Sequence, residues 1–174
     1  MTDRSRSLLL YCGLFALAAV GAALVLQHVF GMRPCAWCTL QRLVYLGIAA
    51  FALLGWALGA RAAVLRAFAL LAALASVAGL AAALQQQFVA ARTASCAFTF
   101  ADRVLMQLRL DEAVPWLFFA DASCSEANVP LLGVPFALWS AAAFVLLAAG
   151  SLAAAWRVRG SRRARQAPVP EVSR

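Results

Sequence analysis

The chain contains no lysine: all fifteen of its basic residues are arginine. Charged residues of either sign make up only 13% of its 174 positions, against 65% apolar, and the mean hydropathy is +0.85. Soluble domains carry about a quarter charged residues, so a water-soluble enzyme core is excluded, as are disordered and fibrous chains. There is a single histidine, His28. A glycine-rich dinucleotide fingerprint is missing, and so is a haem-attachment CxxCH, since Thr39 follows Cys38. No internal repeat is convincing.

What the sequence does have is four uncharged apolar runs, at 8–26, 43–60, 67–84 and 131–156. An 18-residue helix covers about 27 Å, close to the roughly 30 Å of bilayer hydrocarbon. The sequence therefore predicts an all-α membrane protein. Its four transmembrane helices, over 8–28, 42–60, 64–84 and 131–156, form a bundle that makes residues 1–156 one domain. The first run is longer than a signal-peptide core of about 7–15 residues and is read as a retained span. Ten arginines fall in the amino-terminal tail, the connection carrying Arg61 and Arg66, and the tail 157–174, where the only acids are Asp3 and Glu171. On the other side Arg33, Arg42, Arg92, Arg103 and Arg109 are matched by five acids, so the whole net charge of +8 sits on one face. The positive-inside rule then predicts cytoplasmic termini and extracytoplasmic loops at 29–41 and 85–130. The tail, with Pro168 and Pro170, is expected to be a disordered topology anchor and not a nucleic-acid binder. Gly55 and Gly59 form a GxxxG that permits close helix approach.

The chemistry-bearing residues are cysteines. Cys12 lies inside the first span and reads as an inert small apolar residue. Cys35, Cys38, Cys96 and Cys124 all fall on the outer side, where an oxidising compartment permits disulfides. Cys35 and Cys38 form a CxxC after Pro34 at the start of the second helix, and Cys96 and Cys124 stand 28 positions apart in a long loop. The natural resting pairs are Cys35 with Cys38 and Cys96 with Cys124. A CxxC at a helix amino terminus favours thiolate, and Arg42, one turn beyond Cys38, adds a fixed positive charge. A bridge over two residues closes too small a loop to stabilise a fold much, which favours redox function over a structural disulfide. Four cysteines also suit tetrahedral zinc, but a second close pair is absent, so no metal is expected.

The loop 85–130 is longer than most structureless connections, which points to function. Thr99 and Asp102 start a short helix in the manner of a capping box, with Asp in place of Glu or Gln. Val114, Trp116, Leu117, Phe118 and Phe119, beside Pro115, form an apolar patch expected to rest in the membrane interface.

Thiol exchange only moves oxidising equivalents; something must create them. A CxxC poised near thioredoxin, at about −270 mV, is uphill by about 7 kcal/mol as an oxidant of a partner near −120 mV. A more oxidising acceptor is needed, and a lipid-soluble quinone is the simplest one compatible with the missing cofactor motifs.

Gln27-His28-Val29, Arg33-Pro34-Cys35-Ala36-Trp37-Cys38 with Gln41-Arg42, and the Cys96 and Cys124 pair with Val114-Pro115 ahead of the latter together resemble the disulfide bond formation protein B family of bacterial inner membranes. The resemblance runs from the first span to Trp139. It implies an oxidoreductase that takes electrons from a reduced periplasmic thioredoxin-fold thiol oxidase (DsbA-like). These pass through two Cys pairs to the membrane quinone pool, ubiquinone or menaquinone. It makes Cys96 the atom attacked by the partner, lets Cys124 attack Cys35, and puts Cys38 with Arg42 at the quinone, with Gln41 and Gln87 as further quinone-binding candidates. Family members often show Arg and His near the outer end of the third span, where this chain has Gln85, Gln86 and Gln87. Two alternatives stay open: a vitamin K epoxide reductase-like enzyme, whose CxxC follows its loop cysteines instead of preceding them, and a non-enzymatic membrane protein with structural disulfides.

Overall fold

The computed structural model describes residues 2–92 and 99–166. Four long helices dominate: α1 (Thr2–His28), α2 (Ala36–Leu58), α3 (Ala62–Gln85) and α8 (Phe136–Gln166). All four are long and apolar enough to cross a membrane. Helix α1 packs against α2 and α8, and α3 packs against the same two, so the four form a ring with α1 and α3 on the diagonal.

Small residues let the helices approach. A Cβ at Gly55 would come within 2.8 Å of Phe68 and 2.9 Å of Leu9, so this half of the GxxxG is a packing face. On α3, a Cβ at Gly79 would run into the ring of Phe144, which is fully buried and stacked on Tyr45 at 4.2 Å. The outward faces carry exposed Leu74, Leu146 and Trp156, a surface suited to lipid.

The helix ends depart from the apolar runs in three places. The CxxC stands at the start of α2 as expected, and the span expected from 42 begins with it at Ala36, because Pro34 and the extended Cys35 end the preceding loop and the helix starts at once. Arg42 is consequently not at a span's edge; it lies in the second turn and is 5% exposed. The residues 131–135, expected in the fourth span, instead form a hairpin, β1 (Pro130–Leu131) with β2 (Val134–Pro135). Its turn residues Leu132 and Gly133 both have positive φ, and Val134 is held extended by the proline that follows. At the far end α8 continues through 157–166, where disorder was expected; arginine-rich sequence with no proline before 168 sustains a helix. Residues 167–174 lie outside the described residues.

Between α3 and the hairpin the chain makes four short helices: α4 (Phe100–Gln107), α5 (Leu110–Ala113), α6 (Pro115–Phe118) and α7 (Cys124–Ala127). The capping box at α4 is present, with Thr99 N–H donating to Asp102 Oδ2 at 2.7 Å. The apolar patch divides: Leu117 and Phe118 are buried on the bundle, and Trp116 and Phe119 face outwards.

Candidate functional site

Helix α2 brings the CxxC to the loop end of the bundle. Cys35 and Cys38 sit one turn apart, their sulfurs 3.3 Å from each other. Thr39 fastens this first turn by donating its hydroxyl to the carbonyls of Ala36 (2.9 Å) and Cys35 (3.3 Å). Cys35 is 1% exposed and Cys38 partly buried.

Cys124 arrives from the loop. Arg33 Nε donates to Asp121 Oδ2 at 3.1 Å and its Nη2 to the Asp121 carbonyl at 2.6 Å, and the N–H groups of Asp121 and Ala122 both donate to the Pro34 carbonyl. This clamp ties the residues just before Cys124 to the residues just before Cys35. A capping box between Ser123 and Glu126 then sets Cys124 at the first position of α7. The Cys124 sulfur meets the Cys35 thiol in a hydrogen bond, which holds Cys124 below the ordinary thiol range with help from the Trp37 backbone N–H and against its own burial. The same bond to Cys124, the bond to Cys38 and burial push the Cys35 thiol up. Cys124 is thus the better nucleophile of the two, and Cys35 is the sulfur it touches. Cys96 lies outside the described residues.

On the other side of Cys38 is a cavity of about 230 Å³ between α1, α2 and α8. Ala19, Ala22 and Ala23 make one wall, Trp139 and Ser140 another, and Cys38, Gln41, Arg42 and Tyr45 the polar edge. Arg42 donates through Nη1 to Gln27 Oε1 at 2.6 Å and to the Leu117 carbonyl at 2.9 Å. No carboxylate among the described residues pairs with it. A buried guanidinium with only neutral acceptors favours an anion beside it, and Cys38 is the adjacent group able to become one. A second cavity of the same volume, against Cys12, is lined by Cys12, Gly150 and large apolar residues and lies away from this cluster.

The three glutamines separate. Helix α3 passes at Gln86–Ala90 into a π-helical turn. Gln86 points inward, 1% exposed, and donates from Nε2 to Cys38 Sγ at 3.1 Å. Gln41 Nε2 in turn donates to Gln86 Oε1 at 2.6 Å. Gln87, the residue expected at the quinone, instead accepts from Asn128 Nδ2 at 2.8 Å and braces the loop. Gln85 is exposed. The three-residue glutamine run marked the region, and the member that faces Cys38 is the one that extends the buried stripe Ser76, Gly79 and Ala83 of α3, a stripe that an all-apolar helix does not mark in the sequence.

The sequence model of the family described as Disulfide bond formation protein DsbB matches residues 5–154. The chain belongs to the DsbB family. It is 35% identical over 147 residues to Disulfide bond formation protein B 1 of Pseudomonas putida, covering 84% of this chain and 87% of that protein. Disulfide bond formation protein B of Ralstonia nicotianae is 32% identical over 148 residues, 85% of this chain and 92% of the relative. Membership in DsbB makes this a multi-pass membrane protein of disulfide bond formation, the chemistry that its clustered thiols suit.

Proposed function

We propose that this DsbB-family chain oxidises a reduced thioredoxin-fold dithiol oxidase of the periplasm and delivers the electrons to membrane quinone. One observation carries the reading: Cys35 and Cys38 bridge two environments, Cys35 hydrogen-bonded to Cys124 of the loop and Cys38 lining an apolar cavity beside Arg42. That cavity suits a flat apolar ring with carbonyl oxygens. Its walls are small, aliphatic and aromatic side chains, and at its polar edge the Arg42 guanidinium has N–H groups beyond the Nη1 that is bonded to Gln27 and Leu117.

In the proposed relay the partner's thiolate attacks Cys96 of a Cys96–Cys124 disulfide, forming a mixed disulfide and releasing Cys124 as thiolate. Cys124 attacks Cys35; the Cys35–Cys38 bond breaks and its electron pair goes to Cys38 Sγ. Arg42 faces that new negative charge from across the cavity edge and lowers its cost. The partner's second thiolate then displaces Cys96 and leaves as a disulfide, and Cys96 re-forms its bond to Cys124 and releases Cys35. Cys35 and Cys38 re-form their disulfide as two electrons and two protons pass to quinone, which would be held at the cavity by Arg42 and would supply the two-electron acceptor. The net change is one partner dithiol oxidised to a disulfide for each quinone reduced. The positive-inside distribution of arginine supports cytoplasmic termini in a bacterial inner membrane, with the thiols on the periplasmic side.

The test is quinone reduction by the purified protein with a reduced thioredoxin-fold oxidase. Quinol should form with the wild type and be lost in Cys38→Ser. If Cys35 and Cys38 instead keep one oxidation state whether quinone is supplied or withheld, their bridge is structural and the reading is wrong.

A further inference from the structure

The Cys38 sulfur has a neutral partner whose orientation is enforced. Gln86 is a buried carboxamide at the end of α3; its Nε2 donates to Cys38 Sγ at 3.1 Å and its Oε1 accepts from Gln41 Nε2 at 2.6 Å. Both amides are buried, so each hydrogen bond is made away from competing water. A reversed Gln86 would set its NH₂ against that of Gln41 and aim its carbonyl oxygen at the sulfur. With Gln41 presenting its Nε2, as it does here, the contact selects the Gln86 rotamer in which the donor faces Cys38. Gln86 extends the buried stripe Ala72, Ser76, Gly79 and Ala83 of α3, its N–H still bonded to the Ala82 carbonyl, and a π turn, frequent at functional sites, begins at this residue.

We infer that Gln86 is a catalytic residue, a fixed hydrogen-bond donor to Cys38 Sγ whenever that sulfur carries negative charge, and that Gln41 is its positioning residue. The inference rests on the relay proposed above. When the Cys124 thiolate attacks Cys35 Sγ, the Cys35–Cys38 bond breaks and the electron pair moves to Cys38 Sγ, where the Gln86 N–H is already in place. Preorganised donors of this kind act without rearrangement as charge develops. Arg42 supplies charge from one side and Gln86 a directed donor from another, so their effects are separable.

The test follows alkylation of Cys38 by iodoacetamide in the reduced, detergent-solubilised full-length protein, read by peptide mass spectrometry. It needs neither quinone nor partner. Gln86→Leu should slow Cys38 alkylation by about tenfold, the scale of a lost hydrogen bond to a charged group, and Gln85→Leu, a neighbouring exposed glutamine, should leave the rate unchanged. Gln86→Glu keeps the size and the acceptor for Gln41 but presents a donor to the sulfur only when protonated. Its rate relative to wild type should be near one at low pH and fall as pH rises. Gln41→Glu, which does not touch the sulfur, should show the same fall, because the carboxylate it introduces, once ionised, draws the Gln86 NH₂ away. A wild type that reduces no quinone overturns the relay. Gln86→Leu alkylated at the wild-type rate, or a Gln86→Glu ratio flat in pH, overturns the present assignment.

Discussion

At the scale of single residues, burial changes what Arg42 is expected to do. Its guanidinium satisfies Gln27 and the Leu117 carbonyl as well as facing Cys38, so it both joins α1 and α6 to α2 and supplies charge. Arg42→Ala should raise the quinone KM by roughly tenfold and also lower the melting temperature, since the buried Leu117 carbonyl loses its donor at about 1–3 kcal/mol and the half-buried Gln27 loses one as well. Arg42→Lys keeps the charge and should retain more turnover than stability; equal quinone kinetics in wild type and Arg42→Ala would remove the residue from the site. Cys124 offers a pH signature. Its thiol is held below the ordinary range chiefly by the hydrogen bond from Cys35, so its alkylation rate should rise at lower pH than that of an ordinary cysteine and fall only on further acidification. Cys35→Ala removes the donor and should move that rise to higher pH; an unmoved profile would show that the contact does not tune Cys124.

Among the elements, the clamp between 33–34 and 121–122 is what makes the loop and the membrane CxxC one site. The Arg33–Asp121 ion pair is exposed, and exposed pairs contribute about 0.2–1 kcal/mol, while the two backbone bonds to Pro34 survive side-chain changes. Arg33→Ala should therefore slow exchange between the loop pair and the CxxC by only about two- to fivefold in rapid-quench measurements, without altering alkylation of Cys38. Four spans were legible because apolar runs of bilayer length have few other meanings. Their ends were not, for identifiable reasons. An arginine ends an apolar run on paper, yet Arg42 is buried among partners contributed by α1 and α6, which no local pattern displays. The hairpin at 130–135 is apolar throughout and differs from a helix only through Leu132-Gly133 and the prolines around it. The CxxC and Arg42 were found because spacing along one helix fixes their proximity. Gln86 was not singled out from its neighbours because α3 is apolar all round, so the sequence does not mark the inward stripe Ala72, Ser76, Gly79 and Ala83 that Gln86 extends.

For the whole molecule, the deciding question is which way the bundle faces, because thiol exchange with a periplasmic partner requires both Cys pairs on that side. Arg6 Nε donates to the Trp56 carbonyl, and a Cβ at Gly150 would meet Cys12, so the start of α1, the end of α2 and the end of α8 share one end of the bundle. His28 with the Trp116 carbonyl and Arg33 with Asp121 place the loops at the other. Nine arginines among the described residues, Arg4, Arg6, Arg61, Arg66 and five between 157 and 165, belong to the first end. Moving such a cluster across a membrane costs far more than retaining it, which supports the proposal that the loop end is the one translocated. Reporter fusions after Gly160 and within 100–110 should read cytoplasmic and periplasmic respectively. With that orientation, a partner keeping only its attacking cysteine meets the loop before the membrane-edge CxxC, and should be trapped covalently on Cys96. Cys96→Ser should abolish the adduct and Cys12→Ser, buried against α8, should leave it intact. An adduct mapped by mass spectrometry to Cys35 or Cys38 would reverse the proposed direction of the relay, because the partner would then be reaching the buried sulfurs without the loop.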